Sequence, residues 1–141
     1  MGDSLHQILS SLQAIDDVPG ADDLTLRTVW YIHTEGCLER VVFGFDTLFL
    51  SVIADIDDDT VKVWTSGRVD FDMAKATDVT QSRPWSSFVG KSLGWGWVMV
   101  NQQGYCDGLM LSFANIQPQV CLNVVASSFK VFEISLIPAQ L

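Results

Sequence analysis

Apolar and polar residues alternate through most of the chain beyond residue 24, and a period of two is that of a β-strand with one buried face. Turn-forming sequences such as Thr34-Glu35-Gly36 and Asp57-Asp58-Asp59 separate the alternating runs. The pattern predicts about eight short strands between residues 24 and 137, including one over residues 68–73. Because short turns join consecutive strands, we expect an antiparallel meander without parallel crossovers.

A helical period is confined to two places. In residues 4–15 the apolar positions recur at helical spacing and predict an amphipathic N-terminal helix. Pro84 suits the first position of a short helix near residues 84–90, which Gly90 would end. The predicted class is therefore α+β, in a single domain over residues 1–141. Its sheet over residues 24–137 is expected to be strongly curved or closed as a partly open barrel.

The densest alternation lies in residues 91–113, which are typical of a β-hairpin with its turn at residues 102–104. A three-residue loop with Gly104 at the position that needs a positive φ pairs Asn101 with Tyr105. A two-residue loop would shift the register by one position and turn every side chain of one strand to the other face.

The three-residue loop also fixes which side chains face each other in the predicted hairpin. It sets Trp97 opposite Leu109 and Trp95 opposite Leu111, so that the bulky side chains share one face. These tryptophans are interpreted as core residues, or alternatively as the lining of an aromatic groove over a strip of glycines.

The acidic net charge of the chain argues against two classes of binding partner. The chain of 141 residues has 17 acidic and 8 basic residues, which gives a formal net charge of −9. Phosphate binding requires clustered Lys and Arg, so we expect neither nucleic acid nor an anionic membrane surface as a direct partner. An acidic surface is compatible with a basic protein partner.

The three cysteines, Cys37, Cys106 and Cys121, are an odd number within strand-like runs and contain no Cys-x-x-Cys motif. Free thiols are expected, as in a reducing compartment. The N-terminal residues lack the basic start and apolar core of a signal peptide, and no apolar run approaches the roughly 18 residues of a membrane span. The predicted location is the cytoplasm.

No catalytic constellation is recognisable. The two histidines, His6 and His33, fall on polar positions of their predicted elements. Gly90-Lys91-Ser92 lacks the earlier glycine of a phosphate-binding loop. We assign no catalytic residue and no cofactor.

The closest approach to a metal site is the acidic turn that carries Asp55, Asp57 and Asp59, which match the first acidic positions of a calcium loop. The match then fails, because Thr60 stands where glycine is required and Ser66 where the bidentate glutamate should be. The strand-like runs on both sides favour a hairpin turn instead, with calcium binding by these aspartates as the alternative.

Aromatic and polar side chains concentrate around the hairpin tip and the helical turn that precedes it. Such a mixture is typical of interfaces and pockets. The candidate ligand or partner surface comprises Trp85, Trp95, Trp97, Asn101, Gln103, Tyr105 and Asp107.

The chain resembles a small, uncharacterised bacterial protein family of unknown function, over residues from about 38 to about 129. The resemblance is carried by Pro84-Trp85, Gly90-Lys91, Trp95-x-Trp97, Asn101-x-Gln103-Gly104-Tyr105-x-Asp107 and Asp57-Asp58-Asp59-Thr60. It implies no activity and no functional residue. In size and acidity the chain is also similar to immunity or antitoxin-type proteins.

Two functional hypotheses follow. The first is a non-enzymatic interaction protein that self-associates as a homodimer and binds a basic protein through its acidic surface. The alternative is a small-ligand-binding domain or enzyme with an aromatic pocket around Trp85, Trp95, Trp97 and Tyr105.

Overall fold

The computed structural model describes residues 6–10, 24–135 and 137 of the chain. Nine strands lie within these ranges, and each strand pairs antiparallel with its neighbours in the sheet, as the short turns predict. The strands are β1 (Thr28–Thr34), β2 (Cys37–Gly44), β3 (Phe49–Asp55), β4 (Thr60–Ser66), β5 (Ala76–Asp78), β6 (Leu93–Val100), β7 (Cys106–Phe113), β8 (Val120–Val125) and β9 (Ser128–Glu133).

The strands form two sheets, so the predicted single meander of about eight strands is wrong. The first sheet has the order β4-β3-β2-β1-β5 and the second the order β6-β7-β8-β9, and neither closes into a barrel. The chain leaves the first sheet after β5 and sends Trp85 and Phe88 into the core before β6 begins. This interruption separates the sheets, and the fold is mainly β rather than α+β.

The inner faces of the two sheets share one hydrophobic core. Phe43 of β2 and Phe113 of β7 are both buried, with ring centroids 6.3 Å apart. The alternation predicts the inward positions of β3 and β4, and Leu50, Val52, Ala54, Val61 and Val63 are buried in this core. Ser51, on the other face of β3, is buried as well.

Residues 6–10 are helical, and the remainder of the helix predicted over residues 4–15 lies outside the described residues. Ile8 is fully buried in the core. The side-chain amide of Gln7 donates to Val63 O, and Val63 N donates to Gln7 Oε1 at 3.5 Å. β4 is an edge strand, so these bonds occupy backbone groups that could otherwise pair with another chain.

Within the parts of the chain that the structure describes, no helix is both long and apolar enough to cross a membrane. The short helix predicted near residues 84–90 is reduced to a single 3-10 turn at Trp85–Ser87.

Residues 67–75, here called the strap, connect β4 at one edge of the first sheet to β5 at the other edge. The strand predicted over residues 68–73 is therefore wrong. The ring of Phe71 lies 6.3 Å from that of Trp30 and 6.5 Å from that of Phe49, between centroids. The strap thus lays Phe71 over the outer face of the sheet instead of extending the sheet.

Arg40 of β2 holds the strap against the sheet. Its guanidinium carbon lies 5.1 Å from the ring centroid of Trp64 and 5.6 Å from that of Phe71. Its Nη2 donates to Asp70 Oδ1 at 2.5 Å and to Ser51 Oγ at 2.8 Å. The planar guanidinium can stack on rings and donate from its edge at the same time, which a lysine cannot do.

The β6–β7 hairpin has the predicted turn. Asn101 N donates to Tyr105 O at 3.0 Å, and Gly104 has a φ of 84°. The predicted register also holds at both ends of the hairpin. Val100 pairs with Cys106 next to the turn, and Leu93 pairs with Phe113 at the far end.

Between these ends the register is displaced by one residue, so the predicted pairing of the tryptophans is wrong. Trp97 pairs with Met110 instead of Leu109, and Gly96 takes the place opposite Leu111. Asp107 has no partner on β6, which makes it the extra residue of a β-bulge. A second bulge lies in β6, where Gly94 and Trp95 stand opposite the single residue Ser112 and restore the register. Between the two bulges, the one-residue displacement turns Trp97 to the outer face of the second sheet.

We expect Arg40→Lys to lower the free energy of unfolding by about 2 kcal/mol, because it removes the stacking and the forked donors while keeping the charge. Urea unfolding measures the change. Arg27→Lys is the matched control, since Arg27 forms an exposed ion pair with Asp46 and its loss is expected to fall within error. Equal losses in the two variants would contradict the role given to Arg40.

Gly94→Ala is expected to destabilise the protein by about 2 kcal/mol through overpacking. A Cβ atom at this position would lie 2.7 Å from the backbone oxygen of Asn115 and 2.7 Å from Ser112 Oγ. Gly67→Ala is the control, because a Cβ there meets no atom within 4 Å. Thermal unfolding of both variants distinguishes a close-packed bulge from a general effect of replacing glycine.

Candidate binding cleft

An open cleft of about 560 Å³ lies where three turns meet, those between β3 and β4, between β6 and β7, and between β8 and β9. Two sequence candidates that are distant along the chain, the acidic turn and the hairpin tip, therefore line one site. The lining residues are Asp57, Asp58, Asp59, Asn101, Gln103, Tyr105, Asp107, Val124, Val125 and Ala126.

Side chain to backbone hydrogen bonds shape the acidic turn. Asp55 Oδ1 accepts from Asp57 N at 2.9 Å, and Asp58 Oδ1 accepts from Thr60 N at 3.1 Å. Asp59 has a φ of 55°, a conformation that aspartate tolerates better than most residues. The aspartates therefore build the turn whether or not a ligand is present.

The hairpin tip is held in the same way. Asn101 Oδ1 accepts from Gln103 N at 2.9 Å and from Tyr105 N at 3.3 Å. Asn101 Nδ2 donates to Asp107 Oδ2 at 3.1 Å, and Asn123 Nδ2 donates to Asp107 O at 2.9 Å. The bulge residue Asp107 is thus fixed with its carboxylate at the cleft.

Contacts between the two sheets also reach this site. Ser127 N, in the turn between β8 and β9, donates to Asp59 Oδ1 at 2.9 Å. This bond joins the acidic turn of the first sheet to the second sheet, so the two walls of the cleft are tied together.

The site is strongly acidic. Four aspartates line it and no Lys or Arg does so among the described residues. The nearest cation along the chain is Lys62, whose Nζ lies 2.7 Å from Asp55 Oδ2. That hydrogen bond, together with the one from Asp57 N, lowers the pKa of Asp55. The carboxylate of Asp57 accepts none of the hydrogen bonds found among the described residues.

The calcium-loop candidates are used differently. Asp55 faces Lys62, and Asp59 faces Ser127. Among residues 6–10, 24–135 and 137, no three carboxylate, imidazole or thiol groups are grouped so that they could hold a metal ion.

The structure separates the tryptophans from the polar members of the predicted surface. Trp85 is fully buried in the core, with its Nε1 donating to Tyr31 Oη at 2.6 Å. Burial raises the pKa of Tyr31, although the bond from Trp85 opposes this. Trp95 is 60% exposed near the bulge in β6, and Trp97 lies on the outer face of the second sheet. None of these three tryptophans lines the cleft that Tyr105 lines.

Cleft residues that the sequence did not single out are Asp58 and the segment 124–126. The sequence could have indicated Asp58, because it lies between the metal candidates Asp57 and Asp59 in the acidic turn. The segment 124–126 had none, because its position opposite the acidic turn depends on how the two sheets pack.

The cysteines are free thiols, as predicted. Cys106 and Cys121 are buried, and burial raises the pKa of both thiols, with Asp107 adding to the effect. A raised pKa disfavours the thiolate that acts as a nucleophile.

The ion pair behind the acidic turn predicts a pH-dependent effect of Lys62→Met. A carboxyl whose pKa is lowered in the folded state stabilises the fold above its unfolded-state pKa, ordinarily about 3.9, and loses this contribution as the pH falls through the folded-state value. The free energy of unfolding should therefore be higher for the wild type than for Lys62→Met at about pH 7. The difference should disappear as the pH falls and Asp55 is protonated. Urea unfolding between about pH 7 and pH 2.5 measures this. Lys91→Met serves as control, and a difference independent of pH would contradict the assignment.

The model of a family of unknown function (DUF6334) matches residues 13–137. This match confirms the resemblance to an uncharacterised family and extends it beyond both ends of the segment 38–129. Neither the curated proteins nor the solved structures contain a match to the chain. With nearly its whole length covered by the family model, the protein belongs to this family of unknown function.

Proposed function

We propose that the protein is a non-enzymatic interaction module that binds a basic segment of a partner protein in the acidic cleft. The observation that carries the proposal is the cleft itself, which gathers Asp57, Asp58, Asp59 and Asp107 from two sheets without a basic residue in its described lining. Carboxylates that converge from different elements favour a cationic group and repel an anionic one.

The other side chains of the cleft suit the same kind of ligand. Tyr105 is 37% exposed and offers a ring face to a guanidinium or ammonium group. Gln103 adds a side-chain amide that can bond to a peptide backbone. A volume of about 560 Å³ has room for a long basic side chain and part of its backbone.

Preorganisation supports binding over a purely structural use of the charges. Asn101 fixes the hairpin tip through three hydrogen bonds, and Asp59 is bonded across to Ser127. Walls that are already ordered lose little conformational entropy when a ligand binds. Asp57, which accepts none of the hydrogen bonds among the described residues, is available to a cation.

A small-ligand pocket built on aromatic rings is less well supported. Trp85 is part of the core, and Trp95 and Trp97 lie at the bulge of β6 and on the outer face of its sheet. Only Tyr105 among the four aromatic candidates lines the cleft.

Binding of an octalysine peptide, measured by calorimetry at low ionic strength, tests the proposal. We expect Asp57→Asn/Asp107→Asn to weaken binding about fivefold, because two partly exposed charge contacts are lost. Added salt should weaken the wild-type complex further through screening. An octaglutamate peptide should not bind.

The matched control is Asp46→Asn/Asp72→Asn, which removes the same charge away from the cleft. Asparagine can still cap the 3-10 turn Met73–Lys75 at the end of the strap, as Asp72 does. It should bind like the wild type. Equal weakening in both double variants would show that only net charge matters, and a wild type that fails to bind the peptide would equally contradict a cationic-segment site.

A further inference from the structure

The outer face of the second sheet carries a row of apolar side chains across all four strands. Trp97 of β6 pairs with Met110 of β7, Met110 with Cys121 of β8, and Cys121 with Phe132 of β9. This row, together with two further side chains of β6, is here called the outer apolar face. It comprises Trp95, Trp97, Met99, Met110, Cys121 and Phe132.

This face differs from the solvent side of an ordinary antiparallel sheet, where the outward positions are polar. Trp95 is 60% exposed and Phe132 is 52% exposed, although both are large apolar side chains. Contiguous apolar surface of this kind marks an interaction site more often than scattered single residues do.

The face is packed flat rather than hollow. Met99 lies across β7 at Gly108, where an added Cβ would come within 2.6 Å of Met99 Sδ. The same sulfur lies 3.4 Å from Cys121 Sγ on the next strand. A flat, close-packed sheet face fits another flat face better than it fits a small molecule, which needs a concave site.

Charge indicates what covers the face. Among the described residues, the ladder-paired outward positions of its strands carry one charged side chain, Lys130, although the chain has a net charge of −9. The one carboxylate beside the face within that part of the chain is that of the bulge residue Asp107, which adds to the rise in the pKa of Cys121. Two copies of the chain repel each other most where their carboxylates meet, so this is the sheet surface on which they can approach closely. A basic partner would be drawn to the acidic cleft instead.

The first sheet provides a comparison within the same molecule. Its outer face also carries tryptophans, Trp30 and Trp64. Phe71 of the strap packs on Trp30, and Arg40 stacks on Trp64, which remains 39% exposed. The described chain provides no equivalent cover for the exposed Trp95 and Phe132.

We propose that two copies of this chain associate through their outer apolar faces as a two-fold dimer. In a two-fold interface the same patch is used by both subunits, so a flat apolar face is its own complement. Four strands at about 4.8 Å spacing make the face roughly 20 Å wide. The area that a patch of this width buries lies at the small end of stable interfaces. The expected dissociation constant is therefore about 1–100 µM. The dimer is independent of the proposed peptide site.

Sedimentation equilibrium over roughly 1 µM to 1 mM protein tests this proposal. The wild-type mass should rise with concentration from 15.6 kDa towards twice that value. Phe132→Glu should stay monomeric across the same range, because it buries an unpaired carboxylate on each side of the interface. Circular dichroism checks that the variant is folded.

Val69→Glu is the matched control, since Val69 is 45% exposed and lies on the strap, away from the second sheet. It should dimerise like the wild type. Lys130→Glu gives a second probe, because it introduces a carboxylate at an exposed position of the face and should weaken the dimer at least tenfold. A wild type that remains at 15.6 kDa, or the same behaviour in Phe132→Glu and Val69→Glu, overturns the proposal.

Discussion

Opposite the step from Met99 to Val100 in β6, β7 carries one residue more than the antiparallel ladder can pair, and the backbone accommodates it as a bulge at Asp107. The bulge sends the Asp107 carboxylate to the cleft, where it bonds with Asn101. It also rotates the middle of β6, so that Val98 faces Leu109 while Trp97 faces away from the core. One backbone irregularity therefore creates both an acidic position in the cleft and an aromatic position outside the sheet.

The outer faces of the two sheets differ in how far other residues cover them. On the first, the strap lays Phe71 over Trp30, and Arg40 links the strap to the sheet through stacking and hydrogen bonds. On the second, Trp95 and Phe132 are exposed. Carboxylates concentrate at the turns, whereas the second sheet presents an apolar surface. This separation of charge from apolar area supports two different contacts, one with a cation and one with an uncharged face.

In the cleft, the carboxylates that fix the turns include those that we propose bind a cation. The carboxylates of Asp58 and Asp59 accept hydrogen bonds from Thr60 N and Ser127 N, and these bonds fix the loops. Their negative charge is still present at the surface, because a carboxylate has more acceptor sites than these bonds use. A site built in this way needs no additional residues to hold it open. It also explains why turn formation accounted for the aspartates so well when the sequence was considered alone.

Local pattern determined the antiparallel strands, the inward faces of β3 and β4, and the turn at Gly104, because each depends on neighbours along the chain. The alternation could not reveal the division into two sheets, since side chains alternate in the same way in either arrangement. The bulge at Asp107 was also invisible, because which face of β6 is buried depends on packing against β7 and on the core beneath it. The cleft joins turns far apart in sequence, so the sequence supplied its residues and only the packing of one sheet on the other brought them together.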